Sequence, residues 1–225
     1  MSKTLRICLT WGLLLGANFP ATARQASQME GKPDLKITLR VYDYVGVDAG
    51  LLRRALHEAG TIVGDAGVAV MPILCTEGKA PGGTELSQSQ DESPEACRQV
   101  PDPLNIALRI VPKPVPGNDY GTLGYASSRY ITVNYSRVKE FADRADVYLD
   151  RILACVVAHE LGHVLLGPHS HSATGIMTAS LTDKQLGQIR AQFIGFLPFQ
   201  KERMRAYVLA QTRELGAGSK ALVQR

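Results

Sequence analysis

The sequence lacks the features that mark several classes of protein. It has no block of basic residues, and its formal net charge of +4 is close to balanced, so nothing in it indicates binding to nucleic acid. Beyond residue 23 no apolar segment is long enough to cross a membrane, and no internal repeat is present. We therefore expect one globular domain that acts as a monomer, without a nucleic-acid or membrane partner.

The N-terminus has the pattern of a secretory signal peptide. Lys3 and Arg6 precede the apolar stretch ICLTWGLLLGANF, and ATA follows at positions 21–23. A basic start, a short apolar run and an A-x-A site predict export with cleavage after Ala23. The run is short for a membrane-spanning helix, and an uncleaved anchor is the alternative. We expect a secreted or periplasmic protein with a signal peptide at 1–23 and a polar leader at 24–35.

Cysteine is scarce, with four residues in the chain, and Cys8 would leave with the signal peptide. In an oxidising compartment, two of the remaining three are expected to form a disulfide. Cys75 ends an apolar run and Cys97 lies in a polar loop, so we expect these two to be bonded. Cys155 lies in an apolar helical pattern and is expected to be buried and inert. The alternatives are three free thiols, or Cys155 as a metal ligand.

The order of apolar patterns predicts an α/β (α+β) fold. Alternation of apolar and polar residues at 35–44 predicts a first strand, and the segments at 68–75, 105–112, 121–128 and 129–136 predict four more, the last two around a short turn. Helical spacing of apolar residues predicts helices at 49–64, 146–167, 180–193 and 199–216. Pro72 favours an edge position or an irregular course for the second strand. The domain would span 36–215, with a loop insertion at 76–103 and a frayed tail at 216–225.

The stretch HELGHVLLGPHSHSATGIM, residues 159–177, concentrates the groups that could perform chemistry. His159 and His163 are four residues apart, so on a helix they share one face and can bind one metal ion. Glu160 lies beside that face, where its carboxylate can take a proton from metal-bound water. Zinc suits two imidazoles and a third nitrogen or oxygen ligand, with water at the fourth position. The pattern predicts one catalytic zinc ion.

The HExxH motif, the histidines after it and the GIM turn resemble the metzincin clan of zinc metalloproteases. The pattern of that clan is H-E-x-x-H-x-x-G-x-x-H followed by a methionine turn. The motif covers 159–177, and the order of elements resembles a metzincin catalytic domain over about 36–177. The resemblance implies a mixed sheet packed on two helices, an active-site helix followed by the methionine turn, and C-terminal helices. It also implies that His159 and His163 are ligands, Glu160 is the general base and Met177 underlies the zinc site.

The third ligand is the point at which the sequence departs from that pattern. The family glycine would fall at Leu166, but the glycine occurs one residue later, at Gly167. Counted from His163, His169 takes the family position of the third ligand. However, a chain that leaves the helix one residue late needs more length to return to the metal, which favours His171. The signature HExGHxLLGxxxHSxxGIM of a group of secreted bacterial proteins also matches His171. We expect His171, with His169 as the alternative.

In a metzincin, an edge strand binds the extended peptide substrate through backbone hydrogen bonds. The resemblance implies this role for the segment at 121–127, with Gly121, Leu123, Gly124 and Tyr125 as contacts. Small residues in this segment would allow a peptide to approach closely. The alternative is an ordinary hairpin strand with no role in binding.

These observations predict a secreted zinc metalloendopeptidase that hydrolyses peptide bonds by means of a Glu-assisted, zinc-bound water. Two alternatives are a catalytically silent metal-binding or interaction module and a zinc hydrolase that acts on a non-peptide amide. Glu160 favours an enzyme, because structural zinc needs no base. A thermolysin-like site would instead take its third ligand from Glu202 or Glu214.

Overall fold

A five-stranded mixed sheet is the frame of this protein in a computed structural model that describes residues 35–75, 95–98, 102–113 and 122–223. Its strands are β1 (Lys36–Asp43), β2 (Ala69–Leu74), β3 (Asn105–Val111), β4 (Gly124–Ser127) and β5 (Tyr130–Asn134). Their order is β2-β1-β3-β5-β4, in which the first four are parallel and β4 runs antiparallel to β5. The expected α/β architecture with a mixed sheet is confirmed. Pro72 lies in β2, at one edge of the described sheet, where its missing N–H costs no inner hydrogen bond.

Two long helices pack against each other and against the sheet. They are α1 (Ala49–Gly64) and α4 (Leu149–Leu166). The other described helices are α2 (Glu95–Arg98), α3 (Tyr135–Ala145), α5 (Asp183–Arg190) and α6 (Pro198–Val223). Contacts of α4 with α3, α5 and α6 surround it on its remaining sides. This helix is therefore the element around which the other helices assemble.

Burial of α4 follows from its composition. Ile152, Leu153, Val157 and Leu161 point in several directions around the helix, and each is at most 1% exposed. A helix that is apolar on most sides is stable only inside a protein, so it is held between the sheet and the other helices. Each of these side chains contributes on the order of 1.5–3 kcal/mol through its removal from water. The position of α4 is consequently fixed more firmly than that of a surface helix.

Two helices differ from the expectation. The sequence predicts no helix or strand at 137–145, but in the structure α3 begins at Tyr135, immediately after the last residue of β5. Only Val138 and Ala142 of α3 are buried, so its apolar pattern is too sparse to reveal it. Helix α6 also extends beyond the helix predicted at 199–216 and into the expected tail at 216–225, because it runs to Val223. Gly216 and Gly218 weaken a helix and favour an end near residue 216, but the helix continues through them.

A disulfide joins Cys75, at the end of β2, to Cys97 in α2, with the two Cα atoms 5.7 Å apart. Most of the loop expected at 76–103 lies outside the described residues, as do the signal peptide at 1–23 and the leader up to residue 34. Cys155 is a buried free thiol, and burial raises its pKa to about 12. Among the described helices, none combines the length and apolar character needed to cross a bilayer.

Gly162 provides a test of the packing around α4. A Cβ added there would overlap Met177 Sδ and lie 2.8 Å from Phe196 Cε1, and both side chains are too buried to move aside. We expect Gly162→Ala to lower the free energy of unfolding by about 1–3 kcal/mol, because overpacking outweighs the roughly 1 kcal/mol helical preference for alanine. Gly187→Ala in α5, where an added Cβ meets nothing within 4 Å, is the control and should raise stability. Urea unfolding of both variants measures this, and an unchanged Gly162→Ala protein would contradict it.

Candidate metal centre

The helix α4 presents His159 and His163 on one face, one turn apart. Their rings stand at 77° to one another with centroids 4.8 Å apart, and the two Nε2 atoms are 3.1 Å apart. Both side chains are half-buried and line a cleft. Because the other faces of α4 are packed in the core, this is the face on which the helix carries its polar groups.

The loop after α4 brings His171 to this pair. Gly167 ends the helix with a φ of 90°, a conformation that glycine adopts without strain, and the chain then turns back. His171 Nε2 lies 3.1 Å from His163 Nε2, and the ligand nitrogens of the three histidines lie within 4.8 Å of one another. His169, the alternative third ligand, has a φ of 59°, is exposed, and lines the cleft outside this cluster.

Hydrogen bonds on the far sides of two rings orient their Nε2 atoms toward the cluster. His159 Nδ1 donates to Ile176 O at 2.8 Å, which places the proton on Nδ1 and leaves the Nε2 lone pair free. His163 Nδ1 lies 3.1 Å from Ser170 Oγ. Burial lowers the pKa of His159, and burial together with the neighbouring histidines lowers the pKa of His163 to about 4. Both rings are neutral at pH 7, the state in which imidazole binds a metal.

Glu160 lies beside the histidines and is 5% exposed. Burial raises the pKa of its carboxyl group to about 7. Its Oε2 atom has no hydrogen-bond partner among the described residues, which is costly unless a ligand or water supplies one. The strand β4 approaches this carboxylate closely, because a Cβ added at Gly124 would lie 3.2 Å from Glu160 Oε1. Glu160 Oε1 is therefore covered by β4, whereas Glu160 Oε2 still lacks a hydrogen-bond partner among the described residues.

The three imidazoles fit a zinc ion. Tetrahedral zinc with Zn–N bonds of about 2.0–2.1 Å separates two ligand nitrogens by roughly 3.3 Å, close to the 3.1 Å from His163 Nε2 to each neighbouring Nε2. Three nitrogen ligands beside a free carboxylate are typical of a catalytic rather than a structural zinc site. Within the described part of the chain, no other group of three or more His, Cys, Asp or Glu could hold a metal ion. Glu202 and Glu214 are exposed on α6, outside the cluster.

The cluster opens into a cleft of about 1460 Å³. Leu123, Gly124 and Tyr125 line it, and β4 lies at an edge of the described sheet. Gly121 lies outside the described residues. Met177 has no exposed surface and packs against α4, so it can support the site from within the core but cannot contact a substrate.

A buried glutamine, which no sequence motif marks, fastens the loop that carries His171. Gln200 is 1% exposed; its Nε2 donates to Ser172 Oγ at 3.2 Å, and its Oε1 accepts from a backbone N–H just before α6. The Ser172 hydroxyl donates to Thr174 O at 2.8 Å, and the Ser172 backbone N–H donates to Met177 O at 2.8 Å. The residue after His171 is thus held on several sides. A lone polar residue in an amphipathic helix gives no sequence signal for this role.

The chain matches no protein-family model and no curated protein sequence. Its fold is similar to that in the crystal structure of an archaemetzincin from Methanopyrus kandleri, with a TM-score of 0.44 and 18% sequence identity. The similarity covers 77% of this chain and 95% of the archaemetzincin chain. A similarity of this size assigns neither a family nor an activity, so function has to be inferred from the groups in the site.

Gln200→Leu tests whether α6 supports the metal centre. The change leaves Ser172 Oγ without its donor, so we expect the free energy of unfolding to fall by about 1–3 kcal/mol. We also expect weaker zinc binding, because the loop that carries His171 loosens. Glu202→Ala, at an exposed position of the same helix, should change neither quantity. Urea unfolding and calorimetric titration with zinc measure both. A folded Gln200→Leu protein with wild-type zinc affinity would contradict this role.

Proposed function

We propose that this protein is an exported zinc metallopeptidase, in which His159, His163 and His171 hold the metal ion and Glu160 is the general base. The observation that carries the proposal is the convergence of three imidazoles beside a buried carboxylate oxygen that has no partner among the described residues. A purely structural zinc site needs no such carboxylate, which argues against a silent metal-binding module. The Cys75–Cys97 disulfide supports export, since disulfides persist in oxidising compartments.

A zinc ion at this site would lower the pKa of a water molecule and polarise the carbonyl group of the substrate. The Glu160 carboxylate accepts a proton from the attacking water and delivers it to the nitrogen of the leaving amine. A pKa near 7 suits a group that both accepts and returns a proton at neutral pH. The hydrogen bond from His159 Nδ1 to Ile176 O keeps the ring oriented throughout this exchange.

The shape of the cleft favours a peptide over a small amide. An extended peptide can add to β4 through backbone hydrogen bonds, because β4 is an edge strand of the described sheet and lines the cleft. Gly124 brings this strand against Glu160, so a peptide bound along β4 would pass close to the base. A small non-peptide amide would use little of the cleft.

The choice of third ligand can be tested by metal analysis. We expect about one zinc ion per chain in the wild-type protein and in His169→Ala, because His169 lies outside the cluster. His171→Ala should bind zinc more than about 100-fold more weakly, since even the loss of an outer hydrogen-bond partner costs about 10–100-fold. Zinc content after dialysis, with circular dichroism as a check of folding, distinguishes the two. Loss of zinc from His169→Ala alone would overturn the ligand set.

The role of Glu160 can be separated from zinc binding. Glu160→Gln keeps the shape of the side chain and removes the base, so we expect peptide hydrolysis to fall by about 10²–10⁴-fold while zinc is retained. Glu202→Gln, on the exposed side of α6, is the control and should keep full activity. The measurement is a peptide-library digest with quantified products. Cleavage by Glu160→Gln at the wild-type rate would contradict the mechanism, and no cleavage by zinc-loaded wild type would contradict the peptidase function.

A further inference from the structure

The charged side chains that line the cleft are positive, with the exception of Glu160. Three arginines line it, Arg129, Arg137 and Arg144. Among the described lining residues the only carboxylate is Glu160, which is buried at the metal centre. The whole chain is nearly balanced in charge, so this concentration of arginine is local. A cleft lined by one sign of charge attracts ligands of the opposite sign.

Two of these arginines lie on one face of α3. Arg137, Phe141 and Arg144 are spaced by four and three residues, which places them in one row along the helix, and all three line the cleft. The other charged residues of the helix, Lys139, Glu140 and Asp143, are not part of the cleft lining. The helix thus turns a cationic face with one aromatic ring toward the site.

The guanidinium groups of Arg137 and Arg144 both donate hydrogen bonds to Glu140, which lies between them on α3. Arg137 Nη1 donates to Glu140 Oε2 at 3.2 Å, and Arg144 Nε donates to the backbone oxygen of Glu140 at 3.3 Å. The Arg137–Glu140 ion pair is partly exposed, with side chains 36% and 58% accessible. Exposed pairs of this kind contribute at most about 1 kcal/mol, so a carboxylate from a ligand can replace Glu140 at little cost.

The chain path places α3 at one end of the strand proposed to bind substrate. Gly124 of β4 pairs with Val133 of β5, and α3 begins two residues later. Asn134, between them, donates its backbone N–H to Leu123 O at 2.9 Å and its Nδ2 to Thr122 O at 3.0 Å. The helix that carries Arg137 and Arg144 therefore begins beside the Gly124 end of β4, and both arginines line the cleft that β4 also lines.

We propose that Arg137 and Arg144 select peptide substrates that carry a carboxylate on one side of the scissile bond. The inference depends on the proposed peptidase function and names its substrate class. Arginine suits this role because its planar guanidinium can donate two parallel hydrogen bonds to a carboxylate. The carboxylate could belong to an Asp or Glu side chain or to the C-terminus of a short peptide.

The test compares matched peptides on the zinc-loaded protein. One neutral parent peptide is varied by placing Asp, Glu, Asn or Lys at each position in turn, and each peptide is made with a free and with an amidated C-terminus. We measure kcat/KM for the wild type, Arg137→Gln, Arg144→Gln and the double variant. Binding of the same peptides to zinc-loaded Glu160→Gln, with and without the arginine changes, is measured by fluorescence anisotropy. Lys139→Gln, which removes a charge of the same helix outside the cleft lining, is the matched control.

We expect acidic peptides to be preferred over their Asn and Lys counterparts on one side of the cleaved bond. Each arginine should contribute about two- to fivefold, the preference should weaken with added salt, and the double variant should bring the ratio close to one. Lys139→Gln should keep the full preference. If only free C-termini are preferred over amides, the carboxylate recognised is terminal; if internal Asp or Glu suffices, it is a side chain.

The outcomes separate this inference from the proposed function. Cleavage of neutral and acidic peptides at equal rates, or a preference that survives in the double variant, would overturn the inference and leave the peptidase function standing. Arginine-dependent binding of acidic peptides without any cleavage would support the inference and contradict the peptidase function. A protein that neither binds nor cleaves any of the peptides would overturn both.

Discussion

Desolvation of polar groups on an apolar helix is the constraint on which the rest of this structure depends. The helix α4 is buried because most of its surface is apolar, and it holds His159 and His163 half-buried and Glu160 almost fully buried. Burial lowers the pKa of both histidines, raises that of Glu160 to about 7, and leaves Glu160 Oε2 without a partner. The packing that stabilises the domain is therefore also the cause of these pKa shifts, and their directions suit the metal binding and proton transfer that we propose.

Three other segments, namely β4, the loop after Gly167 and α6, contribute to the site whose first groups lie on α4. The antiparallel strand β4 covers the Glu160 carboxylate at Gly124, where an added Cβ would lie in tight contact with it, 3.2 Å from Oε1. The loop after Gly167 returns His171 to the cluster, and Gln200 of α6 holds the neighbouring Ser172. The candidate metal centre therefore includes support from the C-terminal helix in addition to the groups on α4. The face of α3 with its arginines adds charge to the cleft but is not needed to assemble the centre.

Much of the fold could be inferred from the sequence because its signals are local. The strand β1 alternates apolar and polar residues, β3 is a nearly continuous apolar run, and α1 and α4 have apolar residues at helical spacing. The helix α3 could not be predicted because only two of its residues, Val138 and Ala142, are buried. The charged residues around them give a sequence pattern that is also typical of a loop. Because the sequence does not predict α3, it also gives no indication that Arg137 and Arg144 line the cleft. The extent of α6 could not be predicted either, because Gly216 and Gly218 favour an end near residue 216 and the helix nevertheless continues to Val223.

The sequence by itself determined the pairing of His159 with His163 and the place of Glu160 between them. A spacing of four residues on a helix is geometry that needs no distant partner. Only the tertiary structure decided that His171, and not His169, joins the cluster, that Gln200 supports its loop, and that arginines face the cleft. Each of these depends on contacts between separate segments of the chain, and local patterns of apolar and polar residues do not specify which segments meet.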